Sequence, residues 1–241
     1  MSENGFLLIA DISGYTEFIK LHNLAKKPVL GAALAKNFES HASTIVADLL
    51  ETVIDVVEPS LRLNKLEGDA AFFFSSGKIG STSGDGIVEV MAKANEAFNK
   101  KLSDLAFVQA CGCEPCTQSK NLRLKICAHK GSFSLNKIRN FEELSGEDVI
   151  LTHRMLKNDI DSSEYWLVTD AFHKILNPEN KKKFTKITQN LESFDKVKLN
   201  FLELGSPVPR NEKIEKQTRV YNWIRQAGYF GSAMFKKKRA R

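Results

Sequence analysis

Phe6-Leu7-Leu8-Ile9-Ala10-Asp11-Ile12-Ser13-Gly14 decides how the rest of the chain is read. Five apolar residues in an unbroken run match a central strand buried on both faces, and Ser-Gly after the acid marks a tight turn. Asp11 is thereby carried to the edge of a sheet. The next comparable signal lies around Glu67-Gly68-Asp69, where Leu61 and Leu63 on one side and Phe72 and Phe74 on the other predict a hairpin over residues 60–75. Asp69 then sits at or just past its turn, and if the two strands are neighbours the carboxylates converge.

Between these signals, Phe38, Ala42, Ile45, Val46, Leu49 and Val53 recur at three- and four-residue steps, so residues 29–54 read as a helix started by Pro28. A Gly/Ser-rich loop over 75–86 leads into a second helix carrying Ile87, Val90, Met91, Ala94 and Phe98. Leu122, Leu124, Ile126 and Ala128 alternate with polar residues, a strand expected to pair with Ser132–Ile138 through Lys130-Gly131. Ser145 with Asp148 resembles an N-cap box opening a helix through Val149, Arg154 and Met155. A strand and short helix over 165–175 and a last strand over 197–204 follow. The fold class is α+β, a mainly antiparallel sheet with helices packed on one face.

The chain has 241 residues, a mass of 27.0 kDa and 42% hydrophobic residues, enough for one sizeable core. One domain over 1–207 and a basic C-terminal extension over 208–241 are expected. The net charge of +6 is concentrated in Lys181-Lys182-Lys183 and in Lys236–Arg241, two local patches and not a basic face, so nucleic acid is not an expected partner. The tail reads either as a solvated end or, with Tyr229, Phe230 and Phe235, as a contact for acidic lipid or protein. No apolar stretch approaches the roughly 20 residues needed to cross a bilayer, and the cytoplasm is the expected location.

Three of four cysteines fall in Cys111-Gly-Cys113-Glu-Pro-Cys116, unlike the spread framework of a small secreted domain. With Cys127 as a fourth thiolate they can close a tetrahedral zinc site, or they stand as free or redox thiols. His129 and His153 read as hydrogen-bonded structural residues.

Convergent carboxylates repel, and a hard divalent cation such as Mg²⁺ with phosphate oxygens completing its shell is the usual remedy. Ser13-Gly14-Tyr15-Thr16 opens a helix whose free N–H groups favour a phosphate at the same place. Residue chemistry alone points to phosphoryl or nucleotidyl transfer, against the alternative that a strand-end Asp is only a turn residue.

Four stretches resemble, in order, the signature blocks of class III adenylate and guanylate cyclase domains: Phe6–Phe18, Lys65–Phe73, Leu124–Gly131 and Gly146–Met155. The chain is most similar to a bacterial cyclase-like branch with a DISG-type first block and a Cys-rich loop. The resemblance implies a ferredoxin-like palm acting as a head-to-tail homodimer, with two Mg²⁺ or Mn²⁺ ions on Asp11, Asp69 and the Ile12 carbonyl. A purine nucleoside triphosphate would be its substrate, the ribose 3′-hydroxyl attacking the α-phosphate, with Arg154 reaching across the dimer to stabilise transition-state charge. Lys65 and Glu143 fall on the base-recognition positions and are closer to the adenine-selecting pair, or else are surface charges. Two departures stand out. The family's transition-state asparagine is Ile150 here, which makes no side-chain hydrogen bond. The aspartates lie 58 positions apart, longer than the family pattern. Ile150 leaves open a second reading, a catalytically impaired nucleotide-binding module, and the Cys loop and tail a third, an interaction protein on the same fold.

Overall fold

The computed structural model describes residues 2–15, 18, 31–76, 83–111, 116, 118–205 and 219–239. Strand β1 (Ser2–Ser13) is followed by helix α1 (Gly31–Val57), the hairpin β2 (Arg62–Glu67) and β3 (Ala70–Ser76), and helix α2 (Gly84–Asp104). Then come β4 (Arg123–Ile138), β5 (Phe141–Ser145), α3 (Glu147–Arg154), β6 (Tyr165–Thr169), α4 (Asp170–Lys174), α5 (Pro178–Lys181), β7 (Thr185–Asn190), β8 (Lys196–Glu203) and α6 (Arg219–Arg239). The sheet order is β2-β3-β1-β4-β6-β8-β7, with β5 on the outer half of β4. Every pairing is antiparallel except β4 with β6. The expected α+β architecture with a mainly antiparallel sheet is present.

β1 is central, as its apolar run requires. Phe6, Leu8, Ala10 and Ile12 face a core filled by Ile45, Leu49 and Val53 of α1 and Ile87, Met91 and Phe98 of α2. Leu7 and Ile9 face the other way, into a second core with Phe72, Phe74, Tyr165 and Leu167. Val149 and Met155, from α3 and its C-cap, belong to that second core. Helices therefore cover both faces of the sheet, not one. The reason is visible in β3, whose seven residues are all buried; such a strand needs apolar cover on each side.

Three local readings are corrected. Lys130-Gly131 is no turn: β4 runs unbroken for 16 residues, and the hairpin reverses later, at Arg139 (φ 56°) and Asn140. Gly131 marks close approach, since a Cβ there would overlap His129 Nε2 and the Asp148 carboxylate. Ser145 with Asp148 is no capping box. Gly146 (φ 139°) occupies the N-cap, Ser145 Oγ accepts from Asn136, and Asp148 Oδ2 accepts from the Ser132 N–H at 2.6 Å. The C-terminal segment is not a solvated tail over its described part. In α6, the Gln226 amide donates to the carbonyls of Phe107 and Val108 at 2.9 and 3.0 Å, Tyr229 donates to Asp48 at 2.8 Å, and Phe230 is buried in the first core.

Candidate active site

The tip of the β2–β3 hairpin is fastened to the end of β1. Gly68 (φ 68°) makes the turn, and the Ile12 N–H donates to the Asp69 carbonyl at 3.1 Å. This backbone bond sets Asp69 beside Asp11 despite their separation in sequence, nearly half of which is taken up by the 27-residue α1. The Asp69 carboxyl is pushed up to about 6, chiefly by burial and then by the charge of Asp11; its own backbone hydrogen bond and Lys125 pull the other way. Tyr15 is held above the usual phenol value by burial and by Asp69, so the opening of the expected phosphate loop reaches the same place. Gly14 (φ 87°) turns the chain there, and its carbonyl accepts from the Phe18 N–H at 2.9 Å, one helical turn on. Thr16 lies outside the described residues.

Lys125 completes this cluster and was not singled out by sequence. It stands directly opposite Asp11 across the β1–β4 ladder, with Nζ 2.9 Å from Asp11 Oδ2 and both side chains largely buried. Its signal was available in the alternation of β4, where it was read only as the polar side of a strand. Ser13 Oγ, two residues along from Asp11 and so on the same face of β1, is buried with no hydrogen-bond partner.

Two carboxylates, one of them resisting ionisation, and an orphaned hydroxyl form a set of hard oxygen donors with unmet demand for positive charge. They fit a Mg²⁺- or Mn²⁺-like ion. Lys125 neutralises part of the same charge, and Ile12 joins the cluster through its backbone.

A second cluster lies between β2 and β5. Lys65 Nζ is 2.8 Å from Glu143 Oε1 and 3.2 Å from Glu67 Oε1. Burial lowers the lysine's proton affinity, but its bonds to Glu143 and Glu67 raise it overall. His153 Nδ1 reaches Glu67 Oε2 at 3.2 Å, packs on the Phe72 ring and is held below the usual imidazole value by burial. The two residues expected to read the base are thus in direct contact, though 78 positions apart.

Arg154 is directed elsewhere within the chain: its Nη1 is 2.6 Å from Glu192 Oε2. Ile150, one turn earlier on α3, is 51% exposed. His129 is the structural residue expected, with Nδ1 2.7 Å from Thr169 Oγ1 and Nε2 3.1 Å from Asp148 Oδ1, and burial lowers its proton affinity.

The cysteine set is only partly brought together. Cys116 is buried in the core beneath α1 and α2, whereas Cys127 projects into the core on the opposite face of the sheet. Cys127 therefore cannot share an ion with Cys116, and burial raises its thiol far above the ordinary value. Cys111 ends a 3₁₀ turn spanning Leu105–Cys111; its side chain and the whole of Cys113 lie outside the described residues. No group of three or more candidate metal ligands occurs among the described residues.

Residues 46–165 match a family profile described as "Protein of unknown function (DUF2652)". The "Uncharacterized protein Rv2561/Rv2562" of Mycobacterium tuberculosis is 35% identical over 161 residues, 67% of this chain and 74% of that protein. The chain belongs to that protein's family. The fold of this Rv2561/Rv2562 family member is that of nucleotidyl cyclases. It is similar to the guanylyl cyclase Cya2 (TM-score 0.60, 12% identity, 87% of this chain and 96% of that one). The adenylyl cyclase CyaB from P. aeruginosa gives a TM-score of 0.58 at 12% identity, over 86% and 98% of the two chains. The guanylate cyclase domain of RhGC from Catenaria anguillulae, solved with GTP, gives 0.54 at 11% identity, over 83% and 97%. The cyclase-like architecture expected from the four sequence blocks is thus present. No helix among the described residues is long and apolar enough to cross a membrane.

Proposed function

We propose that this protein is a nucleotidyl cyclase that binds a purine nucleoside triphosphate, ATP in preference to GTP, and releases a 3′,5′-cyclic nucleotide and pyrophosphate. The observation that carries the reading is the meeting of Asp11 and Asp69 at one sheet edge, with the Asp69 carboxyl raised to about 6. A pair so placed gains by binding a divalent cation, and when bound, Mg²⁺ or Mn²⁺ supplies charge neutralisation at the triphosphate and activation of the 3′-hydroxyl. Asp11 and Asp69 hold that position, with the Ile12 carbonyl as a further oxygen on the same strand end. Lys125 exchanges its Asp11 partner for a phosphate oxygen, and the Ser13–Tyr15 turn offers hydroxyl and N–H donors. The 3′-oxygen attacks the α-phosphorus, the bond to the β,γ-pyrophosphate breaks, and the hydroxyl proton leaves to solvent.

Base reading belongs to Lys65 and Glu143, whose 2.8 Å contact presents a donor and an acceptor side by side, the complement of adenine's ring nitrogen and amino group. The Lys65–Glu143 pair and the Asp11–Asp69 pair form two separate clusters on one chain. A head-to-tail homodimer unites one pair from each copy and turns Arg154 toward the partner's aspartates, away from Glu192. In this arrangement residues 1–207 form the catalytic domain.

One observation favours a second reading. Ile150 offers no donor where the related enzymes place an amide, so nucleotide binding can outlast efficient turnover. The deciding experiment incubates purified protein with ATP or GTP and Mg²⁺ or Mn²⁺, follows cyclic product by mass, and includes Asp11→Ala. Product that disappears in the variant supports the cyclase; metal-dependent nucleotide binding without product supports the binding module; neither one overturns both.

A further inference from the structure

Two carboxylates flank the Lys65 ammonium, and they are not equivalent. Glu143 meets Lys65 through Oε1 at 2.8 Å, and among the described residues its Oε2 has no partner. Glu67 has both oxygens engaged: Oε1 lies 3.2 Å from Lys65 Nζ and Oε2 lies 3.2 Å from His153 Nδ1. An ionised carboxylate brings only acceptors, so whatever occupies each oxygen decides what is left for a ligand. His153 thereby leaves Glu143 as the acid with an oxygen to spare. The imidazole is held by packing on Phe72, with ring centroids 4.5 Å apart, and Phe72 is itself the residue opposite Lys65 across the β2–β3 ladder. Burial keeps this ring below the usual imidazole value. At pH 8 it is therefore neutral with one proton to place, and a carboxylate facing Nδ1 places it there.

We propose that His153 is a specificity-determining positioning residue: by donating its Nδ1–H to Glu67 it withholds that carboxylate from the base and leaves Lys65 with Glu143 as a single donor–acceptor pair. The inference rests on the assignment of Lys65 and Glu143 to base reading. The edge of adenine that such a pair meets carries one ring-nitrogen acceptor and one amino donor, whereas guanine's carries two neighbouring donors beside its carbonyl. One ammonium beside one open carboxylate oxygen matches adenine and leaves a guanine donor unmet, which costs affinity. A released Glu67 would supply the second acceptor. His153 therefore acts against the guanine nucleotide by keeping an acceptor occupied, and touches neither nucleotide itself.

The test measures binding of 3′-deoxy-ATP and 3′-deoxy-GTP, which lack the attacking hydroxyl, to the full chain by calorimetry at pH 8 with Mn²⁺. The wild type should favour the adenine nucleotide. His153→Phe keeps a ring on Phe72 without the N–H and should narrow that preference by about tenfold or more, chiefly by tightening the guanine nucleotide. His153→Asn retains a side-chain N–H and should keep the preference within about threefold of wild type. In the His153→Phe background, Glu67→Ala removes the released acceptor and should return the guanine affinity to its wild-type value. A preference unchanged in folded His153→Phe, or one that changes equally with and without Glu67, overturns the assignment. Should His153→Phe fail to fold, His153→Ala carries the same expectation, and in either case nitrogen-15 NMR of the wild type must place the His153 proton on Nδ1; a ring protonated only at Nε2 overturns the proposal. Should neither nucleotide bind the wild type, the nucleotide reading fails and takes this inference with it, whereas adenine-selective binding with unaltered discrimination in the variants overturns the role of His153 alone.

Discussion

Replacing Asp69 by Asn should stabilise the protein at pH 8 while removing its response to divalent metal. The folded state holds this carboxyl at about 6 against an ordinary 3.8. A raised acid favours the folded state most below its unfolded value, and that advantage is lost as pH climbs through the folded value. Above about pH 7 the ionised Asp69 costs up to about 3 kcal/mol relative to a carboxylate of ordinary affinity; partial solvent exposure reduces this to about 1.5 kcal/mol. Asn keeps the shape without the charge, so at pH 8 Asp69→Asn should gain about 1.5 kcal/mol, or roughly 3–6 °C in Tm for a chain of this size. Urea and thermal denaturation of both proteins at pH 5 and pH 8 in EDTA give the comparison. Acidifying from pH 8 to pH 5 should return about 1 kcal/mol more to the wild type than to the variant. Millimolar Mg²⁺ or Mn²⁺ should stabilise only the wild type at pH 8. A variant less stable than wild type at pH 8, or a difference independent of pH, would refute the reasoning, because either outcome means that Asp69 is not a repelled, half-buried acid.

Ile150→Asn restores a side-chain donor and should raise cyclic product formation by 10²-fold or more, measured as initial rate per milligram; an unchanged rate would show that the missing amide is not what limits turnover. Lys65→Ala removes one charge-assisted partner of the base and should weaken ATP binding ten- to a hundredfold by calorimetry, while metal-induced stabilisation at Asp69 stays intact. Gly131→Ala pushes a methyl into His129 and Asp148 and should cost about 1–3 kcal/mol, read as a fall of several degrees in Tm.

Sequence placed the candidate residues in the fold where its signals are backbone signals. The apolar run before Asp11 and the glycine before Asp69 needed only periodicity and turn chemistry to be placed at strand ends. Lys65 and Glu143 were legible only through family resemblance, because nothing local says that β2 and β5 approach. Lys125 was hidden by the alternation that made β4 recognisable: a charged residue on the polar side of a strand reads as solvated, yet its neighbour across the ladder is a buried acid. Lys130-Gly131 misled for a related reason. A glycine next to a lysine is a turn signal locally, and the demand for close packing between β4 and Asp148 overrides it. β7 was missed because Thr185–Asn190 has a single aliphatic residue, Ile187, as suits the edge strand it forms. In α6 the terminal charges obscured Gln226, Tyr229 and Phe230, which lie at the three- and four-residue steps of a docked face.

The division of the site also bears on Ile150. One chain presents the carboxylates proposed to bind metal at the end of β1 and the charges proposed to read the base between β2 and β5, with Arg154 tied to Glu192. The apolar side chains left in water among the described residues include Leu66, Ile138, Phe141 and Ile150, with Phe141 75% exposed. Leu66 is next to Lys65, Phe141 is two residues from Glu143, and Ile150 is four from Arg154, so these apolar side chains flank the groups that the proposed dimer directs at the partner's aspartates. Burying an exposed isoleucine against a second copy contributes about 1 kcal/mol or more to association, whereas an amide there would add little binding and a transition-state hydrogen bond. In the proposed dimer, Ile150 exchanges catalytic stabilisation for a stronger interface, the combination expected of the binding-module reading. On that account Ile150→Asn should loosen the dimer as it speeds the reaction, and a variant that did only one of the two would separate the interface from the chemistry.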